Sequence, residues 1–328
     1  MKLFSILSII PMFCVFSLPV CGQTPPVVYP VPDALTGGPY EVTVNGAAVP
    51  LEKAGEISPV YYARFQCDSD ARVEIAIDSG EPELAIKPAR MFSGESLSPG
   101  HAAFRMPAPG TVVLTAGPDR DTIPPLAIIR DKVEAFPFEP AGRRVFDVSH
   151  LAGDTMQREA LQKTLDDCSA HPGGGVVYFG PGTYHTGALR VGSNTEIYLA
   201  PGSLIVGSDD FKDYLPTYKG RKAMLLFDEC SNSSIRGYGV IEGRGHVVRM
   251  DPRYPDKEKP AVTLMVFLKC RNILIEGVCG RNPAFWNAHI LGCDNVTVRG
   301  YKALNDWGVY NTDGVNPHAS TNVLIEDY

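Results

Sequence analysis

Six consecutive residues near the C-terminal end, Tyr310-Asn311-Thr312-Asp313-Gly314-Val315, form the stretch best suited to chemistry. Asp313 is an acid in a short polar segment, with a glycine behind it and apolar segments that repeat one another on either side. A carboxylate held at a fixed place on a surface can serve as a base. The same letters also describe an ordinary Asp-Gly turn. Which of the two applies depends on the elements that hold it.

The chain has 328 residues, 44% of them apolar and 20% charged, a composition suited to folded domains with their own cores. A net charge of −7, with Lys and Arg scattered, argues against nucleic acid as a partner. Gly (32) and Pro (28) are frequent enough to favour many turns and short strands over long helices.

Met1-Lys2, an apolar run from Leu3 to Val20 and then Cys21-Gly22-Gln23 predict a secretory signal over residues 1–22. Pro11 and Pro19 interrupt the run, which barely reaches the roughly 20 residues of a spanning helix. No membrane span is therefore expected. The protein would be secreted or periplasmic, or a lipoprotein anchored at Cys21. Residues 23–39 read as a Pro-rich linker.

From Tyr40 to about Arg130 the pattern has period two, as in Arg72-Val73-Glu74-Ile75-Ala76-Ile77-Asp78. Further strand candidates are Val60–Phe65, Glu83–Ile86, Thr111–Thr115 and Leu126–Ile129, separated by turn signals such as Asn45-Gly46. Residues 40–138 thus read as a small antiparallel β-sandwich, with a boundary at Phe136-Pro137-Phe138-Glu139-Pro140. One helix is predicted over Thr155 to Cys168, capped by Asp154 with Gln157 closing the box.

Beyond Val176 an internal repeat governs the chain. Cys230-Ser-Asn232, Cys270-Arg-Asn272, Cys293-Asp-Asn295 and Ser320-Thr-Asn322 each precede a β-rich apolar segment. The last two steps are 23 and 27 residues, and the 40-residue step before them holds a polar stretch, Arg249 to Pro260, read as an inserted loop. Such a period with one short strand after a fixed Asn means a solenoid. The fold class is therefore all-β: a right-handed parallel β-helix over residues 139–328, preceded by the sandwich. Equivalent side chains would stack at roughly 4.8 Å. Asn fits a turn ladder because it tolerates the left-handed conformation and its amide can bond its neighbours. Cys230, Cys270, Cys293 and Ser320 would form a rung of small side chains, with free thiols preferred to disulfides. The helix would cover the open N-terminal end of the stack.

On this repeat lie six segments in a familiar order. They are Gly173-Gly174-Gly175-Val176-Val177-Tyr178-Phe179-Gly180-Pro181-Gly182-Thr183-Tyr184, then Leu199-Ala200-Pro201-Gly202-Ser203-Leu204-Ile205-Val206-Gly207-Ser208, then Gly239-Val240-Ile241-Glu242-Gly243. Pro283-Ala284-Phe285-Trp286, Asn311-Thr312-Asp313-Gly314 and Ser320-Thr321-Asn322-Val323 complete the series. Residues 145–328 resemble the N-terminal part of family 28 glycoside hydrolases, the polygalacturonase family. The related family 49 dextranases share the coil and carry an N-terminal sandwich.

The resemblance implies an inverting hydrolase of O-glycosidic bonds in a polysaccharide of the pectin type, in which one carboxyl protonates the leaving oxygen and a carboxylate activates water. It makes Asp313 a water-activating carboxylate and Asn311 a residue shaping the site beside it. Trp286, His289, Asp306 and Trp307 are expected near the same face, the rings to stack on sugar and His289 to bond a hydroxyl or carboxylate. The family's Asp-Asp pair would follow Tyr328, so the 328-residue chain alone is expected to lack its acid and to be inactive. Basic residues that would hold a uronate are likewise expected from beyond Tyr328. No metal or cofactor is required, and a monomer is expected. Two alternatives stand beside this reading: a dextranase-like glucan hydrolase, and a non-catalytic carbohydrate-binding solenoid.

Overall fold

A computed structural model describes residues 24–31, 38–77, 82–117, 123–133, 142–255 and 259–328. The signal segment, Cys21 and the boundary at 136–140 lie outside the described residues.

The repeat winds into three parallel sheets, the walls of a right-handed β-helix. The first wall runs through Val145–Asp147, Gly175–Phe179, Thr195–Leu199, Ser231–Gly237, Arg271–Glu276, Asp294–Arg299 and Thr321–Glu326. The second contains Gly153–Met156, Gly182–Thr186, Ser203–Gly207, Val240–Glu242, Cys279–Arg281 and Lys302–Leu304. The third contains Leu189–Val191, Lys222–Asp228, Val262–Leu268, Ala288–Leu291 and Val315–His318. Pairing between successive coils is parallel throughout.

The register puts like on like. Ile197, Ile235, Ile275 and Val298 stack inside the first wall and are fully buried. On its outer face Arg236, Glu276, Arg299 and Glu326 alternate in sign, with Arg236–Glu276 at 2.9 Å and Arg299–Glu276 at 3.2 Å. Exposed pairs of this kind add little each, about 0–1 kcal/mol. The buried aliphatic columns supply most of the stabilisation, roughly 1.5–3 kcal/mol per side chain.

The turn into the first wall carries the predicted ladder. Asn232, Asn272, Asn295 and Asn322 have φ of 57°, 55°, 58° and 53°. Asn194 (φ 57°) adds a rung not anticipated from the repeat. The amide of Asn232 donates to Asn194 Oδ1 (3.1 Å), Asn272 to Asn232 (2.9 Å) and Asn295 to Asn272 (2.9 Å). Asn322 departs from the column and donates to Asp294 Oδ1. The thiol rung is present and unbridged: Cys230 Sγ lies 3.5 Å from Cys270 Sγ, the Cys270 amide donates to Cys293 Sγ, and the Cys293 amide donates to Ser320 Oγ. All six described cysteines are free and buried.

Helix α1 spans Arg158–Ala170 and buries Leu161, Leu165 and Cys168 against the first coil, capping the stack as expected. Its start differs from the sequence reading. Residues Gly153–Met156 are a strand of the second wall, Gln157 is the N-cap without a side-chain bond, and Met156 is exposed. Pairing to Gly182–Thr186 outweighs the capping signal at Asp154.

Upstream, two sheets enclose a second apolar cluster that includes Phe65, Val73, Ile75, Phe104, Leu114 and Ile128. Asn45-Gly46, both at positive φ, turn the hairpin that pairs Val44 with Ala47. The pairing is antiparallel except that Val60–Gln66 lies parallel to Leu126–Asp131.

The outer face of that parallel pair packs on the coil through Tyr62, Ala127 and Ile129 against Leu304. Two buried arginines cross the seam. Arg64 donates from Nε to Asp131 (2.5 Å) and from its two terminal nitrogens to the carbonyls of Tyr238 (2.8 Å) and Gly277 (2.6 Å). Arg281 donates to Glu242 (2.5 Å) and to the Tyr62 hydroxyl (3.0 Å), which in turn donates to Glu52 (2.6 Å). These bonds fix the sandwich and the coil in one relative position.

Candidate functional site

Asp313 sits in the loop between the second-wall strand Lys302–Leu304 and the third-wall strand Val315–His318. Its side chain is exposed and its main chain is pinned. The backbone N–H and side-chain amide of fully buried Asn287 both donate to the Asp313 carbonyl, at 2.8 and 3.1 Å. The Asn305 side chain donates to the Thr312 carbonyl at 2.6 Å. Tyr301 OH donates to Asn287 Oδ1 and so orients the amide. The carboxylate therefore projects from a backbone fixed from below, as a preorganised group requires. Asn311 is exposed beside it at φ 60°, the left-handed turn that asparagine tolerates. Asn287, adjacent to the Phe285-Trp286 motif, was missed in the sequence, although its position in that motif was the available signal.

His289 pairs in register with Asn316 on the strand that follows Asp313. It is 6% exposed, and its Nε2 lies 2.9 Å from His318 Nδ1. Burial, with help from His318 and Arg221, pushes the His289 imidazole down to about 4. At neutral pH the His289 ring is thus neutral in this contact. Trp286 stands edge-on to His289 at 5.0 Å and tilted over His318 at 5.7 Å.

Two guanidinium groups complete this surface. Arg221 lies 4.4 Å from the ring centres of both Phe285 and Trp286. Arg249 lies 4.5 Å from the ring of Tyr310, three residues from Asp313, and 5.7 Å from Phe285. It is buried, bonded to the carbonyls of Lys259 and Pro260, and its Nε has no partner among the described residues. Such cation–ring contacts are worth about 0.5–2 kcal/mol per pair. Basic groups near Asp313 were expected only from beyond Tyr328. They come instead from the start of one third-wall strand and from the inserted segment after the short helix Gly245–Val248.

Two expected site residues lie elsewhere. Asp306 is fully buried, and its carboxylate accepts the backbone N–H groups of Glu56 (2.6 Å), Ile57 (2.7 Å), Ser58 (2.9 Å) and Gly308 (2.8 Å). Burial pushes its carboxyl upward, but the four amides outweigh that and hold it below the usual range. With its lone pairs committed to the sandwich loop, Asp306 is a seam clamp and does not face a substrate. Trp307 is 61% exposed, but its backbone N–H donates to the Ser58 carbonyl, which places it at the same seam. Among the described residues no group of three or more His, Cys, Asp or Glu could hold a metal ion.

Residues 203–328 match the glycosyl hydrolases family 28. A probable polygalacturonase of Vitis vinifera is 26% identical over 191 residues, 53% of this chain and 39% of that protein. A dextranase of Arthrobacter globiformis is 25% identical over 201 residues, 52% of this chain and 29% of that protein. The chain thus spans well under half the length of these relatives. The solved polygalacturonase from Erwinia carotovora ssp. carotovora is 21% identical, covering 59% of this chain and 56% of that one, with a TM-score of 0.49. Over residues 203–328 the coil is thus similar to family 28 glycosyl hydrolases, and the relatives it resembles include both a polygalacturonase and a dextranase.

Proposed function

We propose that the protein belongs to an exported enzyme that hydrolyses glycosidic bonds in a uronate-containing polysaccharide of the polygalacturonan type. Asp313 is the base that activates water, and the attack inverts the anomeric carbon. A carboxyl about 6.5–9.5 Å away, leaving space for that water, supplies the proton to the departing oxygen. The observation that carries the substrate class is the placing of Arg221 and Arg249, stacked on Trp286, Phe285 and Tyr310 beside the Asp313 loop. A guanidinium held in place over rings, as the half-buried Arg221 is, matches a carboxylate in charge and in its paired donors. A neutral glucan gains nothing from them, which favours a uronide over the dextranase-like alternative. Asn311 lines the site next to the base, and His289, in contact with His318, shapes its far edge. Residues 40–138 act as a rigidly attached module of a monomer.

The test is reducing-end release from polygalacturonate and from dextran by the full-length gene product. Asp313→Asn is expected to lower kcat by about 10²–10⁴-fold, the usual worth of a general base. Arg221→Ala is expected to raise KM for polygalacturonate. Unchanged turnover in Asp313→Asn, or faster cleavage of dextran, would overturn the reading.

A further inference from the structure

A cleft of about 560 Å³ opens between the sandwich and the coil. Its floor is formed where three successive coils turn from the first wall to the second. Gly237, Gly277 and Gly300 stand there at positive φ (109°, 76° and 57°), so the main chain is bare of side chains. Its roof is the sandwich edge around Arg90, Met91 and Thr111.

The charge of this cleft is opposite to that of the chain. Its lining holds six basic residues (Arg90, Arg130, Lys132, Arg236, Arg299 and Lys302) against three acids (Asp131, Glu276 and Asp327), in a protein of net charge −7. Four of the six cations are spoken for. Lys302 pairs with Asp131, Lys132 with Asp327, and Arg236 and Arg299 with Glu276. Arg90, on the sandwich side, is not: it is exposed and forms no ion pair among the described residues. Arg130 lies on the strand face that points into the sandwich, where among the described residues it donates to the carbonyls of Met106 and Cys67. An exposed guanidinium without a counter-ion offers an anion a charge-assisted bond.

We infer that this cleft binds a short anionic oligosaccharide, with one carboxylate at Arg90 and sugar rings lying along the bare glycine turns beside Tyr238. The volume falls within the roughly 300–1,000 Å³ of small-ligand sites, which suits an oligosaccharide and not a polymer chain. Two parts of the fold build the site together, which gives the sandwich a binding role beyond support. The choice of a uronide as the anion rests on the proposed function. The charge and shape of the cleft do not.

The test is calorimetric titration of trigalacturonate into the 328-residue chain carrying Arg221→Ala and Arg249→Ala, which disables the surface beside Asp313. Binding is expected to persist in that background. It is expected to weaken about tenfold or more with Arg90→Glu, the scale of one charge-assisted hydrogen bond. Thr111→Trp, which fills the cleft from the sandwich side, is expected to abolish it. Neutral maltotriose should not bind. Absence of binding, equal binding of maltotriose, or indifference to both Arg90→Glu and Thr111→Trp would each overturn the inference. Arg90-dependent binding in a protein that never cleaves polygalacturonate would sink the proposed function alone. Cleavage without such binding would sink this inference alone.

Discussion

Replacing Asp306 by Asn isolates the chemistry of the seam. The side chain keeps its size, but one of its two oxygens becomes an NH₂ group. Oδ2 accepts from Glu56 and Ile57, and Oδ1 accepts from Ser58 and Gly308, all between 2.6 and 2.9 Å. Either orientation of the amide therefore leaves two backbone donors facing another donor. Each orphaned group costs roughly 1–3 kcal/mol, and the remaining bonds lose their charge assistance. The expected destabilisation is about 3–5 kcal/mol. The assay is urea unfolding followed by tryptophan fluorescence. Of the two tryptophans, Trp307 adjoins Asp306 at the seam and Trp286 lies beside the candidate site. Asp327→Asn, which breaks only the exposed pair with Lys132, is the control and should cost under about 1 kcal/mol. The native amides hold the Asp306 carboxyl below its usual value. Its stabilisation is therefore complete above the ordinary carboxyl range and is lost as pH falls through the lowered one. The Asn variant should lose that part of the acid limb. A cost below about 1 kcal/mol, or an unchanged acid limb, would refute the clamp.

Two further outcomes follow from buried groups. Arg281→Ala leaves Glu242 and Glu52 without their shared cation, and should cost about 3–5 kcal/mol in the same urea assay, whereas Arg281→Met should cost less because it refills the volume. His289 is held down to about 4, so between about pH 6.5 and 4 the unfolded chain binds the extra proton; stability should fall across that window by up to about 1.4 kcal/mol per pH unit, and His289→Gln should flatten the slope in thermal melts.

The coil was legible because its repeat is local and strict. A small residue, any residue and Asn before an apolar segment forced one turn geometry, and the observed φ values near 55° reproduce it at each named rung. The rung at Asn194 escaped notice because Gly192 stands where the others have Cys or Ser. The strand Ser93–Ser98 escaped because it is exposed along its whole length and so lacks an alternating signal. Asp313 could be found because its motif is contiguous. Asp306 could not be assigned correctly, since its partners are about 250 residues away and are backbone groups that leave no trace in residue type. Arg221 and Arg249 were passed over for a similar reason. They reach the candidate site through ring stacking set by the third wall and the inserted segment, not by proximity in sequence.

The asparagine column has a polarity. Every described link between Asn194 and Asn295 runs the same way, the later residue giving its hydrogen to the earlier one. A finished coil thus offers an unfilled oxygen to the chain that has yet to arrive, while its own donor is already satisfied. Assembly from the end closed by α1 would meet a ready acceptor at each step, whereas assembly in the reverse sense would meet only donors. The column therefore gives every named turn from Asn194 to Asn295 the same sense along the stack.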